Sequence, residues 1–316
     1  MVNYVKNKNN IYKIFVDNGN SVTKADCILP NGEAIRMEIP TLISKGEDKM
    51  SQDSYRIEDY LGDTYIVGDE NKSVNVNINL SKMDLAHKLP TLVAIHQMVS
   101  DNAHVELYIG LPIQTFYNTT YRKECIEFYK KDKECALTIN NIKKSFTIDK
   151  VVALPESVGY VFNFPTDSLV GVIDIGYTTI DGAVYKDYAP ILETVFSLVD
   201  GTNPFKTKVR DELNKELLLN IQPYQLDEIL QKGLFGDFKE KADKIIYRCK
   251  MEYLKRIVNE MLKHSWEVQS LPIVFSGGGA ILFKDIIEEY DTFQVSPNPL
   301  YDNLDGFKEM EALLNE

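Results

Sequence analysis

Two aspartates stand at the ends of short apolar runs, and the same succession of residue types follows each. Residues 14–25 read IFVDNGNSVTKA and residues 171–182 read GVIDIGYTTIDG. Setting Asp17 over Asp174 aligns two apolar residues, the aspartate, any residue, a glycine, any residue and then a hydroxyl, Ser21 or Thr178. A strand that ends in aspartate and turns through glycine makes a β-hairpin. Gly19 and Gly176 are read as supplying the positive φ and bare backbone of a two-residue turn. The turn amides, with the hydroxyls of Ser21, Thr178 and Thr179, form a concave donor set that suits phosphate oxygens. A carboxylate beside a phosphate requires a cation between them, and Mg2+ with its retained waters is the natural one. Asp17 and Asp174 are therefore the metal candidates, acting through water. One Asp-x-Gly after a strand is ordinary turn chemistry. Two copies, each opening a domain-sized half, carry far more.

Two further stretches could do chemistry. VFSGGGAIL (274–282) places Gly277, Gly278 and Gly279 between an expected strand and an expected helix, where a ligand can approach bare backbone. It lacks the lysine of a P-loop and does not fit G-x-G-x-x-G. In ALPESVGYVF (153–162), Pro155 is expected to stop a strand and Glu156 and Ser157 to begin a helix. Glutamate there is ordinary helix-start electrostatics. Alternatively, Glu156 polarises the water that attacks a terminal phosphate.

The elements that must position these residues follow from the pattern. Runs such as IYKIFVDNG, VTKADCILP, EAIRMEIP and DTYIVGDE make the first third β-rich. Residues 81–99 have helical spacing, with Pro90 as a break or a start. VELYIGLP reads as a buried strand, 119–133 as a helix, and the polar stretch through 152 as a strand pair. After residue 170, two strands surround the second hairpin and APILETVFSLVDG is expected as a third. Helices are expected over 204–221 and 236–269, and an amphipathic one over 305–316. Two related α/β halves with a cleft between them follow from the repeat.

Composition excludes several classes. The chain has 316 residues, 44% hydrophobic and 26% charged, enough for two domains with real cores. No apolar run is long enough for a transmembrane helix, and the polar start MVNYVKNKNN lacks a secretory core. The net charge of −12, with no basic patch, disfavours direct nucleic-acid binding. Four scattered cysteines without a CxxC pair, and four histidines, argue for a reducing, cytoplasmic setting and against zinc.

In this order the four motifs resemble those of the actin-like ATPase superfamily, which includes actins, seventy-kilodalton heat-shock chaperones and sugar kinases. YIVGDE (65–70), LYIGLP (107–112), LPES and the terminal PLYDNLDGFKEM are most similar to bacterial plasmid-segregation actins of the ParM/StbA type. The resemblance implies an α/β actin-like (ribonuclease H-like) fold, with two related domains around a nucleotide cleft. Domain I would span 1–162, with the helix 305–316 packing back on it, and domain II 163–304. It implies binding and hydrolysis of ATP (or GTP) with Mg2+, self-association into filaments, and plasmid DNA segregation through a DNA-binding, ParR-like adaptor. The hairpins become the two phosphate loops, with Gly19, Asn20, Ser21, Gly176, Tyr177 and Thr178 on the phosphates. Glu156 orients the attacking water in the first connecting helix, and residues 302–307 form the second. Gly277, Gly278 and Gly279 line the adenosine pocket, and Gly201, Thr202 and Asn203 border the ribose. Lys206, Arg210 and Glu212 are nucleotide candidates from the same resemblance, set against a plain solvated helix face. Asn18, Asn20 and Asp305 stand where smaller residues are frequent, and Asp305 could alter domain closure. Two alternatives remain: a small-molecule kinase of the same fold, for which Asp84 and Asp101 are available as a catalytic aspartate but read as helix-edge residues outside any catalytic motif, and a non-hydrolysing actin-like scaffold.

Overall fold

Each aspartate-bearing run becomes a strand hydrogen-bonded on both sides, inside its own sheet. The computed structural model describes residues 11–46, 51–69, 81–234 and 236–314. The polar start, Glu70 of YIVGDE and the last two residues of the tail lie outside them. By contact density the chain divides into Met1–Gly159 with Asn303–Glu316, and Tyr160–Asp302. The sequence placed these divisions at 162/163 and 304/305.

The first unit contains β1 (Ile11–Asn18), β2 (Val22–Ile28), β3 (Ala34–Pro40), β4 (Ile43–Lys45), β5 (Tyr55–Tyr60), β6 (Asp63–Val67), α1 (Leu85–Met98), β7 (Ala103–Leu111), α2 (Ile113–Tyr117), α3 (Thr119–Lys130), β8 (Glu134–Ile139) and β9 (Ile142–Pro155). Its nine strands run in the order β3-β2-β1-β7-β9-β8-β5-β6-β4. β1 is antiparallel to β2 and parallel to β7, which is parallel to β9. From Ile14 onward β1 is buried on both faces, as its near-continuous apolar run requires. The polar pair of β8 and β9 turns through Asn140 and Asn141, both at positive φ, the backbone that a tight primed hairpin turn needs.

The second unit contains β10 (Val170–Ile175), β11 (Ile180–Lys186), β12 (Ala189–Pro190), β13 (Phe196–Leu198), α4 (Thr202–Leu217), α5 (Leu226–Lys232), α6 (Lys239–Lys263), β14 (Ile273–Ser276), α7 (Gly277–Leu282), α8 (Lys284–Ile287) and β15 (Phe293–Val295). β10 is antiparallel to β11 and parallel to β14, which is parallel to β15. The trio β11-β10-β14 thus repeats β2-β1-β7, so the repeat in sequence is a repeat in topology. α4 and α6 supply Phe205, Val209, Leu213, Cys249, Tyr253 and Ile257 to a core under this sheet. The final helix α9 (Asp302–Leu314) begins with Asp302 in the second unit and continues in the first.

Several expectations change. Pro90 lies inside α1, because Asp84 caps the helix by accepting the His87 amide at 3.0 Å and packing buries nearly every side chain. Pro90 gives up one helical hydrogen bond, which that burial outweighs. The expected third strand of the second unit is broken into β12 and β13 by a short 3-10 turn over Leu192–Thr194. The glycine triplet is the first turn of α7, not a loop before it.

α9 is fixed to the first unit by charge and by close backbone approach. Arg36 Nε and Lys308 Nζ both donate to Asp26, at 2.6 and 2.9 Å, and Lys308 also reaches Asp305. Burial works to raise the Asp26 pKa, yet the Arg36 and Lys308 bonds outweigh it and leave it lowered. Lys13 pairs with the buried Glu311 at 2.5 Å. A Cβ on Gly306 would meet the backbone of Gly159, so only glycine permits that contact.

Candidate functional site

In the first unit, β1 carries Asp17 and Asn18 to the edge of the loop 19–21. Three residues, not two, connect β1 to β2. Gly19 does not adopt positive φ, which corrects the expectation for this turn. Glycine is needed there for room: a Cβ would stand 2.5 Å from the Val22 carbonyl oxygen. Thr41 holds the loop from beside it, donating from Oγ1 to the Gly19 carbonyl at 2.7 Å and from its amide to the Ser21 carbonyl at 2.8 Å. Asp17, only 9% exposed, lies opposite Lys24 in the β1–β2 register, with Lys24 Nζ at 3.9 Å and the Asn303 amide nitrogen at 3.5 Å.

Asn18 is buried and fully used. Its Nδ2 donates to Tyr129 Oη at 2.9 Å, its Oδ1 accepts from Thr91 Oγ1 at 3.0 Å, and its carbonyl accepts from Lys82 Nζ. His87 Nδ1 lies 2.8 Å from Asp84 Oδ1, and Nε2 lies 3.0 Å from the Asn20 side-chain amide. Burial pushes the His87 pKa down and the Lys82 charge adds to this, against the opposing Asp84 carboxylate.

Glu156 does not begin a helix. β9 runs to Pro155, the Glu156 amide donates to the Leu111 carbonyl at 2.8 Å, and Ser157 turns the chain at φ +68°. Ser157 holds this left-handed backbone because its amide donates to Asn303 Oδ1 at 2.9 Å. A short 3-10 turn over Gly159–Asn163 follows in place of the expected helix. The Glu156 side chain is buried, with Oε1 3.7 Å from Lys82 Nζ. In the first unit Lys82 thus links Asn18 to Glu156, Asn303 links Asp17 to Ser157, His87 meets Asn20, and Thr41 holds Gly19 and Ser21.

The second unit assembles its candidates differently. The loop 176–179 has four residues, and Gly176 also lacks positive φ; its Cβ would come within 3.2 Å of the Thr179 carbonyl. The start of α4 closes over this loop. Amides of Gly201, Thr202 and Asn203 donate to the carbonyls of Thr178, Gly176 and Tyr177 at 2.9, 3.0 and 3.0 Å. A Cβ on Gly201 would meet the Tyr177 carbonyl at 2.6 Å. Tyr177 Oη donates to Asn203 Oδ1 at 3.1 Å. Asp174 pairs in register with Ser276 of β14 and with Asp181 of β11. Gly277 follows at φ +79°, and a Cβ there would fill the space at Asp174 Oδ1. One on Gly279 would strike Thr202 and Ile175. Ser276 and Ser296 both donate to the buried Asp302, at 2.6 and 2.7 Å. Asp174, Gly176–Thr178, Gly201–Asn203 and Gly277–Gly279 are therefore neighbours.

The donor set fits phosphate. The amides of Asn20, Ser21, Tyr177 and Thr178 have no hydrogen-bond partner among the described residues. For Mg2+, which takes one or two carboxylates with water and phosphate oxygens, the candidate carboxylates are Asp17 and Asp174, each next to its own hairpin loop; among the described residues no three His, Cys, Asp or Glu side chains form a metal cage. Lys206, Arg210 and Glu212 carry ion pairs with Asp227, Asp211 and Arg248 on the α4 face. Asp84 caps α1 by accepting the His87 amide at 3.0 Å, and Asp101 accepts the Ser145 amide at 2.7 Å. Lys82, Asn18, Thr41 and Asn303 were not singled out as site residues from sequence; a lone lysine before a helix gives no pattern, and their partners are remote in the chain. No described helix is long and apolar enough to cross a membrane.

Two sheets built on the same trio, each ending in an aspartate hairpin, define an actin-like fold. The family model for the N-terminal domain of actin-like proteins matches residues 16–159, and that for the C-terminal domain of archaeal MreB-like actin homologues matches 172–289. The chain belongs to the actin-like proteins. Among solved structures, it is similar to a ParM from Clostridium botulinum in a 15-stranded filament, at 19% identity and TM-score 0.74, covering 96% of this chain and 99% of that one. It is similar to an archaeal actin homologue in complex with ADP, at 20% identity and TM-score 0.73, over 95% and 99%. It is also similar to Bacillus thuringiensis ParM with ATP, at 16% identity and TM-score 0.65, over 97% and 99%. No curated protein matches the sequence significantly.

Proposed function

We propose that this protein binds a magnesium nucleoside triphosphate, ATP or GTP, through both hairpins, polymerises into filaments, and hydrolyses the nucleotide to control their lifetime. One observation carries the reading: each unit has an aspartate one residue before the end of an interior strand, followed by turn amides, at Asn20 and Ser21 and at Tyr177 and Thr178, without a hydrogen-bond partner among the described residues. Asp17 and Asp174 would hold the hydrated ion, which when bound neutralises the charge of the β- and γ-phosphates. The free amides and the hydroxyls of Ser21 and Thr178 take phosphate oxygens. Glu156, held at the end of β9, orients the attacking water and accepts its proton. Gly277, Gly278 and Gly279 let the adenosine approach bare backbone. The amides of Gly201, Thr202 and Asn203 are already engaged, so the side chains of Thr202 and Asn203 are what remain for the ribose.

The ParM filament and the ADP- and ATP-bound relatives support polymerisation and nucleotide binding by analogy of fold. The net charge of −12 supports leaving DNA to a ParR-like adaptor in plasmid segregation. The test is light scattering and phosphate release in parallel, with and without Mg2+. A nucleotide-dependent rise followed by phosphate release and decay supports the reading. Scattering without release would support the scaffold instead, and release without scattering a soluble nucleotidase.

A further inference from the structure

Lys82 is a buried cation that the sequence did not single out. It is 5% exposed, and its backbone is pinned at both ends by α3: its amide donates to Tyr121 Oη at 2.8 Å and its carbonyl lies 3.5 Å from Tyr129 Oη. Its ammonium donates to the Asn18 carbonyl, at the root of the first hairpin, and stands 3.7 Å from Glu156 Oε1. These two partners come from different strands, β1 and the end of β9. A methionine would fill the same volume without the desolvation penalty of a buried ammonium, so packing alone does not call for lysine here. The 3.7 Å separation is an ion pair rather than a full hydrogen bond, so the charge acts on Glu156 while the carbonyl of Asn18 receives the directional bond.

We infer that Lys82 is a positioning residue for hydrolysis: anchored on the Asn18 carbonyl, its charge fixes the Glu156 carboxylate relative to the first phosphate hairpin. The inference rests on the reading of Glu156 given above. Lys82 acts on the attacking water through Glu156, so its removal lowers kcat and leaves nucleotide affinity nearly intact.

The experiment is a double-mutant cycle with Lys82→Gln and Glu156→Gln, measuring kcat, KM for Mg-ATP and ADP affinity by calorimetry. Lys82→Gln keeps a donor for the Asn18 carbonyl and removes the charge. The expected result is a fall in kcat of roughly tenfold or more, with KM and ADP affinity within about threefold of wild type. In the Glu156→Gln background, Lys82→Gln should cost little more, because both substitutions remove the same function. Lys82→Arg, which keeps the charge, should recover part of the rate.

Three results would overturn the inference: a wild-type rate in Lys82→Gln, a loss fully additive with Glu156→Gln, or ADP affinity lost by the same factor as kcat. The last, like a Lys82→Gln protein that no longer folds, would make Lys82 a determinant of the fold. A wild-type rate in Glu156→Gln alone would instead overturn the reading of Glu156, and the inference with it. A dead Glu156→Gln beside a wild-type Lys82→Gln would overturn this inference alone.

Discussion

The two hairpins share a sequence pattern and a strand trio, yet they are held by different chemistry. The first is clamped largely by side chains: Thr41 on the Gly19 carbonyl, Lys82 on the Asn18 carbonyl, and Tyr129 and Thr91 on the Asn18 amide. The second is clamped by backbone, with three amides at the start of α4 donating to three loop carbonyls. Their aspartates also face different neighbours. Asp17 lies opposite Lys24, whereas Asp174 lies opposite the buried Asp181. A side-chain clamp can be broken by one conservative substitution; a backbone clamp yields only to a change that blocks the approach.

The largest expected effect follows from the aspartates. Asp174→Ala should reduce Mg-dependent hydrolysis by about 10²-fold or more, the scale of losing one preorganised electrostatic contact. Asp17→Ala should weaken the Mg2+ requirement less, because Lys24 already offsets part of its charge. A Mg2+ titration of phosphate release checks the order; equal losses would remove the contrast. Next, Glu156→Ala should slow hydrolysis by roughly 10²-fold and leave assembly intact, giving filaments that persist after mixing with Mg-ATP. Disassembly at the wild-type rate would count against Glu156.

The clamps come third. Gly201→Ala pushes a methyl against the Tyr177 carbonyl and should cost about 1–3 kcal/mol, the scale of overpacking. Thr41→Val removes one hydroxyl bond from the first loop, worth about 1 kcal/mol. ADP affinity in the two variants compares them directly, and a greater loss in Thr41→Val would reverse their predicted order.

The smallest effect concerns stability. Because the folded Asp26 pKa is lowered, its contribution is complete above the unfolded value of about 3.9 and is lost as pH falls through the folded one. Asp26→Asn should therefore lower the melting temperature at pH 7, with the difference from wild type shrinking steadily below about pH 4. A difference that persists undiminished into acid would point to packing rather than charge.

What was legible in the sequence was local. Alternating and continuous apolar runs placed β1, β7 and β10, and the spacing of Asp, Gly and hydroxyl placed both hairpins. The φ of Gly19 and Gly176 was not legible, because a glycine needed for close approach looks the same as one needed for positive φ. Pro90 misled because tertiary burial outweighed its local cost. Asn18 read as a departure from a small residue, although it is the hub of the first clamp. Lys82 lies 64 residues from Asn18, and Asn303 lies 286 from Asp17; no periodicity joins such partners. Asp181, the second aspartate of GVIDIGYTTIDG, is the strand partner of Asp174.

The central claim is that both hairpins act on one magnesium nucleotide. It is tested most directly by a calorimetric double-mutant cycle on Mg-ATP affinity with Asp17→Ala, Asp174→Ala and the pair. If the carboxylates share one ion, the losses are coupled by about 1 kcal/mol or more. Losses that add to within about 0.5 kcal/mol would mean that the two hairpins bind independently, and would contradict the account.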